Sequence, residues 1–310
     1  MKKRPIVKTI LTIFCDLLAT GILLCVFAVF HHVIRTPGGT GDAIEIVRPS
    51  PDAVPATSSP GVDRTETPVQ TENSYQSGAI SVTLHTIQSG SGSSAVTYHV
   101  ADINVENIEA LRTAFANETY GRNYAQSVLE QDLANHAILA ISGDSYGLSG
   151  GGIVIRNGIL YQYKETDSDI CVLYYDGTME TLSAGEYSKE SLIEKGAYQV
   201  WSFGPGLLDK SGNAKTTFHT SSYLLKKHPR CAIGYYEPGH YAFVLVDGRQ
   251  KASQGLTLEE LALLFEKLGC IAAYNLDGGK STVMTFNDKI YNDPYTEPRD
   301  VSDIIYIGEV

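Results

Sequence analysis

A long apolar segment near the N-terminus constrains the architecture of this chain more than any other feature. The 18 residues Leu17–Ile34 carry no formal charge, and the apolar residues before them extend the segment to the roughly 20 residues that cross a bilayer. Lys2, Lys3, Arg4 and Lys8 precede it, and basic flanks stay on the cytoplasmic side. We therefore expect a cytoplasmic tail (1–8), a transmembrane signal anchor (9–34) and an extracellular C-terminal part. A cleaved signal peptide is the alternative, but the segment is long for one and lacks a small-residue cleavage site.

Residues 35–78 have the composition of a linker. They contain six of the twelve prolines and many Thr, Ser and Gly residues, which bury little apolar surface. We expect a disordered linker here and one folded domain over residues 79–310. That domain carries the whole net charge of −11, which argues against nucleic acid as a partner because phosphate backbones are bound by clustered Lys and Arg.

The pattern of apolar, polar and turn residues in the domain predicts an α+β fold. Ile80–Ile87 and Val96–Val105 alternate apolar and polar residues as half-buried strands do. Asn157-Gly158 and Asp176-Gly177 predict hairpins, and Thr257–Leu268 has a capping box at its start and a glycine after its end, which predicts a helix. We expect a single domain with a mixed sheet and flanking helices, preceded by one transmembrane helix.

Two familiar motifs do not have the context that their chemistry needs. The G-x-S-x-G pattern at 147–151 precedes a predicted strand, whereas a nucleophile elbow leads into a helix. Gly279-Lys280-Ser281-Thr282 resembles the end of a Walker A loop, but Tyr274 occupies the position of its first glycine. We therefore expect neither a serine hydrolase nor an NTPase.

Three aspartates each follow an apolar strand. Asp144, Asp247 and Asp277 stand at these strand ends, and Asp-Gly is also an ordinary turn pair. Three such ends in one domain favour a shared acidic cleft, with the backbone amides of Gly278 and Gly279 on its floor. The cleft would suit a sugar that carries an anionic group. A divalent cation bound by the carboxylates is an alternative to a site without cofactor.

A basic residue completes the predicted site. Arg230 lies in the segment HPRCAIGYY, and Arg249 follows Asp247 by two positions. A guanidinium can bind a phosphodiester through two parallel hydrogen bonds. Arg230 is therefore the expected phosphate ligand.

The order of several segments resembles the phosphodiester glycosidase domain family. These segments are FGPGLLDKSG, PRCAIGYY, VLVDGR, SQGLTLEELALLFEKLGCIAAYNLDGGKSTVMTFNDKIYN and EPRDVSDIIYIG. The resemblance runs from about Ala137 to Val310. It implies hydrolysis of an α-linked sugar from a sugar-1-phosphodiester, and bacterial members are often labelled as exopolysaccharide biosynthesis proteins.

The resemblance also implies roles for individual residues. Asp277 and Asp247 are expected to supply the nucleophile or the base that activates water, and Asp144 to orient sugar hydroxyls. The expected substrate-binding residues are Arg230, Arg249, Gly278, Gly279, Ser281 and Thr282. Ser142 and Lys280 depart from the residues usual in the family, which are asparagine and a small or amide residue.

The expected function is that of a membrane-anchored extracellular glycosidase. It would hydrolyse sugar-1-phosphodiester linkages in cell-surface or exopolysaccharide glycans, and would need no cofactor. The alternative is a non-catalytic module of the same fold that binds wall glycans or teichoic acid.

Overall fold

The structure, a computed structural model, describes residues 4–39, 43–49, 67–146 and 151–310. Three parts of the sequence-based predictions lie outside the described residues. They are the first three residues of the predicted cytoplasmic tail, residues 40–42 and 50–66 of the predicted linker, and all but the last residue of the G-x-S-x-G motif.

The helices of the described ranges include one long apolar helix at the N-terminus. The helices are α1 (Arg4–His32), α2 (Val128–Ala134), α3 (Lys189–Glu194) and α4 (Leu258–Leu268). Within α1, Lys8–Phe30 is long and apolar enough to cross a membrane and is not buried against the rest of the chain, which is compatible with an anchor or a signal sequence. The capping box of α4 is confirmed, because the Thr257 hydroxyl accepts a hydrogen bond from the Glu260 amide.

The strands are short and numerous. They are β1 (Thr36–Pro37), β2 (Ile44–Glu45), β3 (Val69–Gln70), β4 (Ser74–Gln76), β5 (Ile80–Ser89), β6 (Val96–Val105), β7 (Leu111–Phe115), β8 (Gly121–Arg122), β9 (Leu139–Ser142), β10 (Ile153–Arg156), β11 (Ile159–Tyr163), β12 (Ile170–Tyr174), β13 (Met179–Leu182), β14 (Ala197–Trp201), β15 (Arg230–Glu237), β16 (His240–Val246), β17 (Ala272–Asn275), β18 (Met284–Phe286), β19 (Lys289–Ile290) and β20 (Asp303–Ile307). Both predicted alternating strands are confirmed as β5 and β6.

Three larger sheets organise these strands. The seven-stranded sheet has the order β17-β15-β16-β6-β5-β4-β3, the six-stranded sheet β13-β12-β14-β10-β11-β2, and the five-stranded sheet β19-β18-β9-β20-β7. The predicted hairpins at Asn157-Gly158 and Asp176-Gly177 are confirmed as β10–β11 and β12–β13. The α+β class is confirmed, and the structure adds that the strand pairs within each of these sheets are antiparallel.

The segment predicted as a disordered linker differs from that prediction where it is described. Within it, β3 and β4 extend the seven-stranded sheet, and β2 pairs with β11. Ile46 is buried in the core of the six-stranded sheet. The composition predicts disorder because the segment has few apolar residues to bury. Its short strands form nevertheless because they pair with strands of the domain at the edges of the sheets.

The core lies between the sheets and beneath α4. Buried apolar side chains from all three sheets form one cluster, which includes Trp201, Phe243 and Phe286. On the other face of the seven-stranded sheet, α4 packs Phe265 against Gly234 of β15. A Cβ atom at Gly234 would lie 2.6 Å from the Phe265 ring, so this strand needs glycine for the helix to approach.

Several strand ends meet at one edge of the seven-stranded sheet. Arg230 at the start of β15 pairs with Val246 at the end of β16, and Ala232 pairs with Asn275 at the end of β17. The end of β9 joins this edge, because the Ser142 hydroxyl donates to the carbonyl oxygen of Asp277 at 3.0 Å. The loops that follow β9, β16 and β17 therefore lie together at this edge.

A buried ion cluster joins the six-stranded and five-stranded sheets behind this edge. Nη2 of Arg156, on β10, lies 2.8 Å from Oδ1 of Asp144 and 2.9 Å from Oδ2 of Asp303, on β20. Burial and the charge of Asp144 raise the pKa of Asp303, although Arg156 opposes this. One guanidinium thus compensates two buried carboxyl groups.

Replacing Arg156 by methionine is expected to destabilise the domain strongly. The variant would leave Asp144 and Asp303 buried without their cation, which typically costs about 3–5 kcal/mol when one partner of a buried ion pair is removed. Urea unfolding followed by far-ultraviolet circular dichroism measures the change in the free energy of unfolding.

The matched control is the exposed pair Lys195–Glu180, whose nitrogen and oxygen lie 3.5 Å apart. Lys195→Met is expected to change stability by less than about 1 kcal/mol, because solvent screens this pair. Equal effects of the two substitutions would contradict the importance of the buried cluster.

Candidate active site

A cationic cavity opens where the strand ends meet. We name it the anion cavity; its volume is about 360 Å³ and it is lined by Phe203, Tyr223, Leu224, His228, Pro229, Arg230, Arg249, Asn275, Leu276, Asp277, Gly278, Gly279, Lys280, Tyr295 and Arg299. Four of these residues are cationic at neutral pH and one is a carboxylate. Burial, together with the neighbouring guanidinium groups of Arg230 and Arg249, lowers the pKa of His228, which keeps that imidazole neutral. The cavity is therefore suited to an anion.

Asp277 is the carboxylate of the anion cavity. Its side chain is 9% exposed, and Oδ2 accepts a hydrogen bond of 2.7 Å from Nη2 of Arg299. Burial raises the pKa of Asp277, and Arg299 and the hydroxyls of Ser281 and Ser145 partly offset that increase. A carboxylate with this balance is more basic than an exposed one.

Arg299 was not among the residues singled out from the sequence. Its Nε and Nη2 atoms donate to the Ser281 hydroxyl at 3.1 and 2.7 Å, and Nη2 also donates to Asp277. Its side chain remains 45% exposed, so the guanidinium reaches both the carboxylate and solvent. The segment EPRD, which contributed to the family resemblance, contains this arginine, but one basic residue in a loop has no local signal that would identify its partner.

Arg249 is held over the anion cavity by three aromatic side chains. Nη1 donates to the Tyr295 hydroxyl at 2.6 Å, and Nη2 donates to the Tyr223 hydroxyl at 2.7 Å. Nη2 also lies 3.0 Å from Nδ1 of His228, which can accept because Nε2 faces the Tyr223 carbonyl at 2.7 Å. The predicted substrate-binding position of Arg249 is consistent with this placement at the rim.

Arg230 lines the cavity, and the hydrogen bonds of its side chain go to backbone carbonyls of the described residues. Nε donates to the Leu256 carbonyl at 2.9 Å, and Nη2 donates to the carbonyls of Leu224 and Lys226, both at 2.7 Å. Burial, followed by the charge of Arg249, lowers the pKa of Arg230 to about 10. The guanidinium therefore holds the loop around Leu224 and adds positive charge to the cavity wall, and its role as a phosphate ligand stays a prediction.

The predicted glycine amides are only partly available. The Gly279 amide donates to the Pro229 carbonyl at 3.0 Å, so it does not face a ligand. At Gly278 an added Cβ atom would lie 2.7 Å from the same carbonyl oxygen. These glycines allow two loops to approach closely. Both residues of the predicted hydroxyl pair are buried, and the Ser281 hydroxyl accepts hydrogen bonds from Arg299.

Asp144 lines a second, neighbouring cavity. We name this the hydroxyl cavity; its volume is about 490 Å³ and it is lined by Asp144, Ser145, Tyr146, Gly151, Gly152, Thr166, Ser168, Ser202, Phe203 and Leu224. Besides Arg156, the Asp144 carboxylate accepts hydrogen bonds from the amides of Tyr146 at 3.1 Å and Ser202 at 3.0 Å. It therefore holds two segments of the cavity wall. Phe203 and Leu224 belong to both cavities.

Asp247 lies in a different environment from Asp277. Oδ2 is 3.0 Å from Nε2 of His99, and Oδ1 accepts hydrogen bonds from Nδ2 of Asn292 at 3.1 Å and from the Asp293 amide at 3.3 Å. The carboxylate is buried and its oxygens are used within the fold. Asp247 ties β6 to the loop after β19, and its predicted share in the reaction stays a prediction.

The three predicted aspartates have different charged partners. Each carboxylate faces its own partner: Arg156 for Asp144, His99 for Asp247 and Arg299 for Asp277. Within the described residues, no group of three or more His, Cys, Asp or Glu side chains is arranged to hold a metal ion.

Comparison with known proteins supports the family assignment. The family model described as phosphodiester glycosidase matches residues 135–308, more than half of the chain. The SPbeta prophage-derived uncharacterized protein YomE of Bacillus subtilis (strain 168) is 32% identical over 179 residues. This match covers 56% of the present chain but only 28% of YomE.

Two solved structures share the fold. The zebrafish N-acetylglucosamine-1-phosphodiester alpha-N-acetylglucosaminidase catalytic domain, auto-inhibited by its pro-peptide, gives a TM-score of 0.61 at 19% identity and covers 76% of this chain and 85% of that chain. A hypothetical protein from Synechocystis gives a TM-score of 0.56 at 13% identity, with 74% and 62% covered. The residues that the family model matches run from β9 to β20 and include the loop after β17 that carries Asp277. This chain belongs to the phosphodiester glycosidase family.

Proposed function

We propose that this protein hydrolyses sugar-1-phosphodiesters. One observation carries the proposal: Asp277 lines the anion cavity, and its amide donates at 3.1 Å to the carbonyl of Gly143, the residue before Asp144 of the hydroxyl cavity. A bond between a sugar and a phosphate would lie beside this carboxylate if the two groups occupied the two cavities. The membership of the phosphodiester glycosidase family agrees with such a substrate.

The phosphodiester would bind in the anion cavity. Arg249 and Arg299 present guanidinium groups there, and Lys280 adds a flexible ammonium group at the rim. Arginine suits this task because its planar donors match two oxygens of a phosphate. Positive charge placed before the reaction also stabilises the negative charge that develops on the leaving phosphate.

The sugar would bind in the hydroxyl cavity. Ser145, Thr166, Ser168 and Ser202 contribute side chains that can both donate and accept hydrogen bonds, as sugar hydroxyls require. Phe203 supplies an apolar surface at the boundary with the anion cavity. The cavity volume of about 490 Å³ is within the range of small-molecule sites.

The proposed reaction needs one base and no strong general acid. Water attacks the anomeric carbon while Asp277 accepts its proton, and the bond from that carbon to the phosphate oxygen breaks. The phosphate monoester leaves with the bonding electron pair, and the products are the free sugar and the phosphate monoester. The raised pKa of Asp277 favours the role of base, since a base acts best when its pKa approaches the working pH.

We also propose that the domain is anchored at the outer face of the cell membrane. The apolar span of α1 and the preceding basic residues support this orientation. Only Val33, Ile34 and Arg35 separate α1 from β1, which pairs with β8 of the domain. The domain would therefore act close to the bilayer, on cell-surface or exopolysaccharide glycans.

Replacing Asp277 by asparagine is expected to lower kcat about 10²–10⁴-fold, the usual contribution of a general base. The measurement uses the purified full-length protein and a panel of sugar 1-phosphates esterified with a methyl group. Mass spectrometry detects the sugar that is released.

Asp176→Asn is the matched control. Asp176 also precedes a glycine, but it lies in the β12–β13 hairpin and bonds to Thr178. This variant should retain full activity. Full activity of Asp277→Asn would exclude the proposed base, and binding of the diesters by the unmodified protein without product would favour the alternative of a non-catalytic binding module.

Replacing Arg299 by alanine is expected to change the pH dependence of turnover. Without this cation the pKa of Asp277 rises further, so the acid limb of the kcat/KM profile moves to higher pH. The rate at the optimum should also fall about 10²–10³-fold, as when one preorganised electrostatic donor is lost.

Arg299→Lys keeps the charge and should displace the acid limb less than Arg299→Ala. An acid limb at the same pH in all three proteins would contradict the coupling between Arg299 and Asp277. Steady-state rates between pH 4 and pH 9 on one diester provide the comparison.

The proposed orientation predicts that protease added to intact cells removes the C-terminal domain, while an N-terminal epitope tag remains protected. Immunoblots of cells with and without protease measure this. Release of the domain into the medium without protease would indicate a cleaved signal peptide instead.

A further inference from the structure

A third cavity lies beside the hydroxyl cavity. We name it the tyrosine cavity; its volume is about 330 Å³ and it is lined by Thr36, Pro37, Gly38, Gly39, Tyr120, Gly121, Arg122, Tyr146, Tyr161, Gln162 and Lys164. Its aromatic surface and polar rim have the character of a ligand site, and nothing in the proposed reaction uses it.

The tyrosines of this cavity form one packed group. The rings of Tyr120 and Tyr146 are stacked with centroids 5.4 Å apart, and Tyr161 lies 5.0 Å from Tyr120. Phe115 supports the group from the side, with its ring perpendicular to that of Tyr161. Rings held in this way form a rigid surface, which loses little entropy when a ligand binds.

Two phenol groups are available to a ligand. Tyr120 and Tyr161 are half-buried, and their hydroxyls have no hydrogen-bond partner among the residues that the structure describes. Burial raises the pKa of both phenols, so they remain protonated donors at neutral pH. A sugar ring fits such a surface, because it has apolar C–H faces and hydroxyl groups at its edge.

The charge of the cavity indicates an acidic ligand. Arg122 and Lys164 line it, and the lining residues that the structure describes include no Asp or Glu. Arg122 thus brings positive charge to a chain whose formal net charge is −11. An acidic group on the bound sugar would therefore be favoured over a neutral one.

The three cavities follow one another in a row. The anion and hydroxyl cavities share Phe203 and Leu224, the hydroxyl and tyrosine cavities share Tyr146, and the anion and tyrosine cavities share no residue. The Gln162 side chain and the Lys164 amide, from the tyrosine cavity, donate to the carbonyl of Gly152 in the hydroxyl cavity at 3.0 and 3.3 Å. A chain of sugars could therefore extend from the hydroxyl cavity into the tyrosine cavity.

We propose that the tyrosine cavity binds a further sugar of an acidic oligosaccharide, whose first sugar occupies the hydroxyl cavity. The substrate is then an oligosaccharide attached through its reducing-end sugar to a phosphodiester, and the protein releases a chain of sugars. This inference rests on the proposed function for the position of the cleaved bond. The cavity itself, its tyrosines and its charge do not depend on that function.

The segment after α1 forms one wall of the tyrosine cavity. A Cβ atom at Gly38 would lie 2.2 Å from the Tyr120 ring, so only glycine allows this close approach. Gly38→Val should displace the wall without altering any tyrosine. It provides a second way to perturb the cavity.

The test measures binding of acidic tetrasaccharides to the full-length chain in detergent, with the Asp277→Asn substitution present to prevent turnover. The probes are tetragalacturonate, a hyaluronan tetrasaccharide and a tetramer of N-acetylglucosamine-1-phosphate, each compared with its monomer by titration calorimetry. At least one tetramer should bind about tenfold more tightly than its monomer, a difference of roughly 1.4 kcal/mol. Tyr161→Ala should remove this difference, and Tyr161→Phe should retain part of it.

Two controls distinguish the loss of the binding site from the loss of the folded structure. Tyr98→Ala alters a half-buried tyrosine on β6 that lines none of the three cavities in the described residues, and it should leave tetramer binding unchanged. Melting temperatures show whether each variant is folded. If Tyr161→Ala is not folded, Gly38→Val replaces it in the comparison and should weaken tetramer binding in the same way.

The possible results have distinct meanings. Tetramers that bind no more tightly than monomers, or tight binding that survives both Tyr161→Ala and Gly38→Val, would overturn the inference. Tighter binding of maltotetraose, a neutral tetramer, than of every acidic tetramer would overturn the assignment to acidic sugars. Tetramer binding that depends on Tyr161, together with no turnover of any sugar-1-phosphodiester, would refute the proposed function and leave the oligosaccharide site.

Discussion

The candidate site depends on the hydrogen bonds that join the end of β9 to the loop after β17. The Ser142 hydroxyl donates to the Asp277 carbonyl at 3.0 Å, and the Asp277 amide donates to the Gly143 carbonyl at 3.1 Å. These two bonds connect the five-stranded sheet to the seven-stranded sheet. Because both backbone groups of Asp277 are held, its carboxylate has a defined position between the anion cavity and the hydroxyl cavity. Ser142, which departs from the usual residue of the family, has a clear structural role in this junction.

Different partners surround the three strand-end aspartates, which are all buried. Asp144 and Asp247 have their oxygens occupied by donors of the protein, and these contacts hold cavity walls and loops in place. Asp277 instead faces a partly exposed arginine and two hydroxyls at a cavity surface. A buried carboxylate needs compensating partners, and each of the three has them. Asp277 differs in that its partner, Arg299, remains 45% exposed beside the anion cavity.

The positive charge of the anion cavity comes from residues distant in the chain. Arg230 begins a strand, Arg249 follows another, and Arg299 lies in the loop before β20. Each is held by a different set of contacts: backbone carbonyls, tyrosine hydroxyls, and the Ser281 hydroxyl with Asp277. An acidic protein thereby acquires a local field that attracts anions, because nearby charges act more strongly than the screened net charge.

The sequence by itself determined the element types, the family and the motif residues that contribute to the site. Period-two alternation, Asn-Gly and Asp-Gly turns, a capping box and an apolar span are local signals, and the structure confirms the strands, hairpins and helix that they predicted. Only the tertiary structure decided which partner each aspartate has. Asp247 and His99 are separated by 148 positions, and Arg299 follows Asp277 by 22. Such partners are chosen by the packing of sheets against one another, and no local pattern encodes the distance between two side chains that different sheets carry.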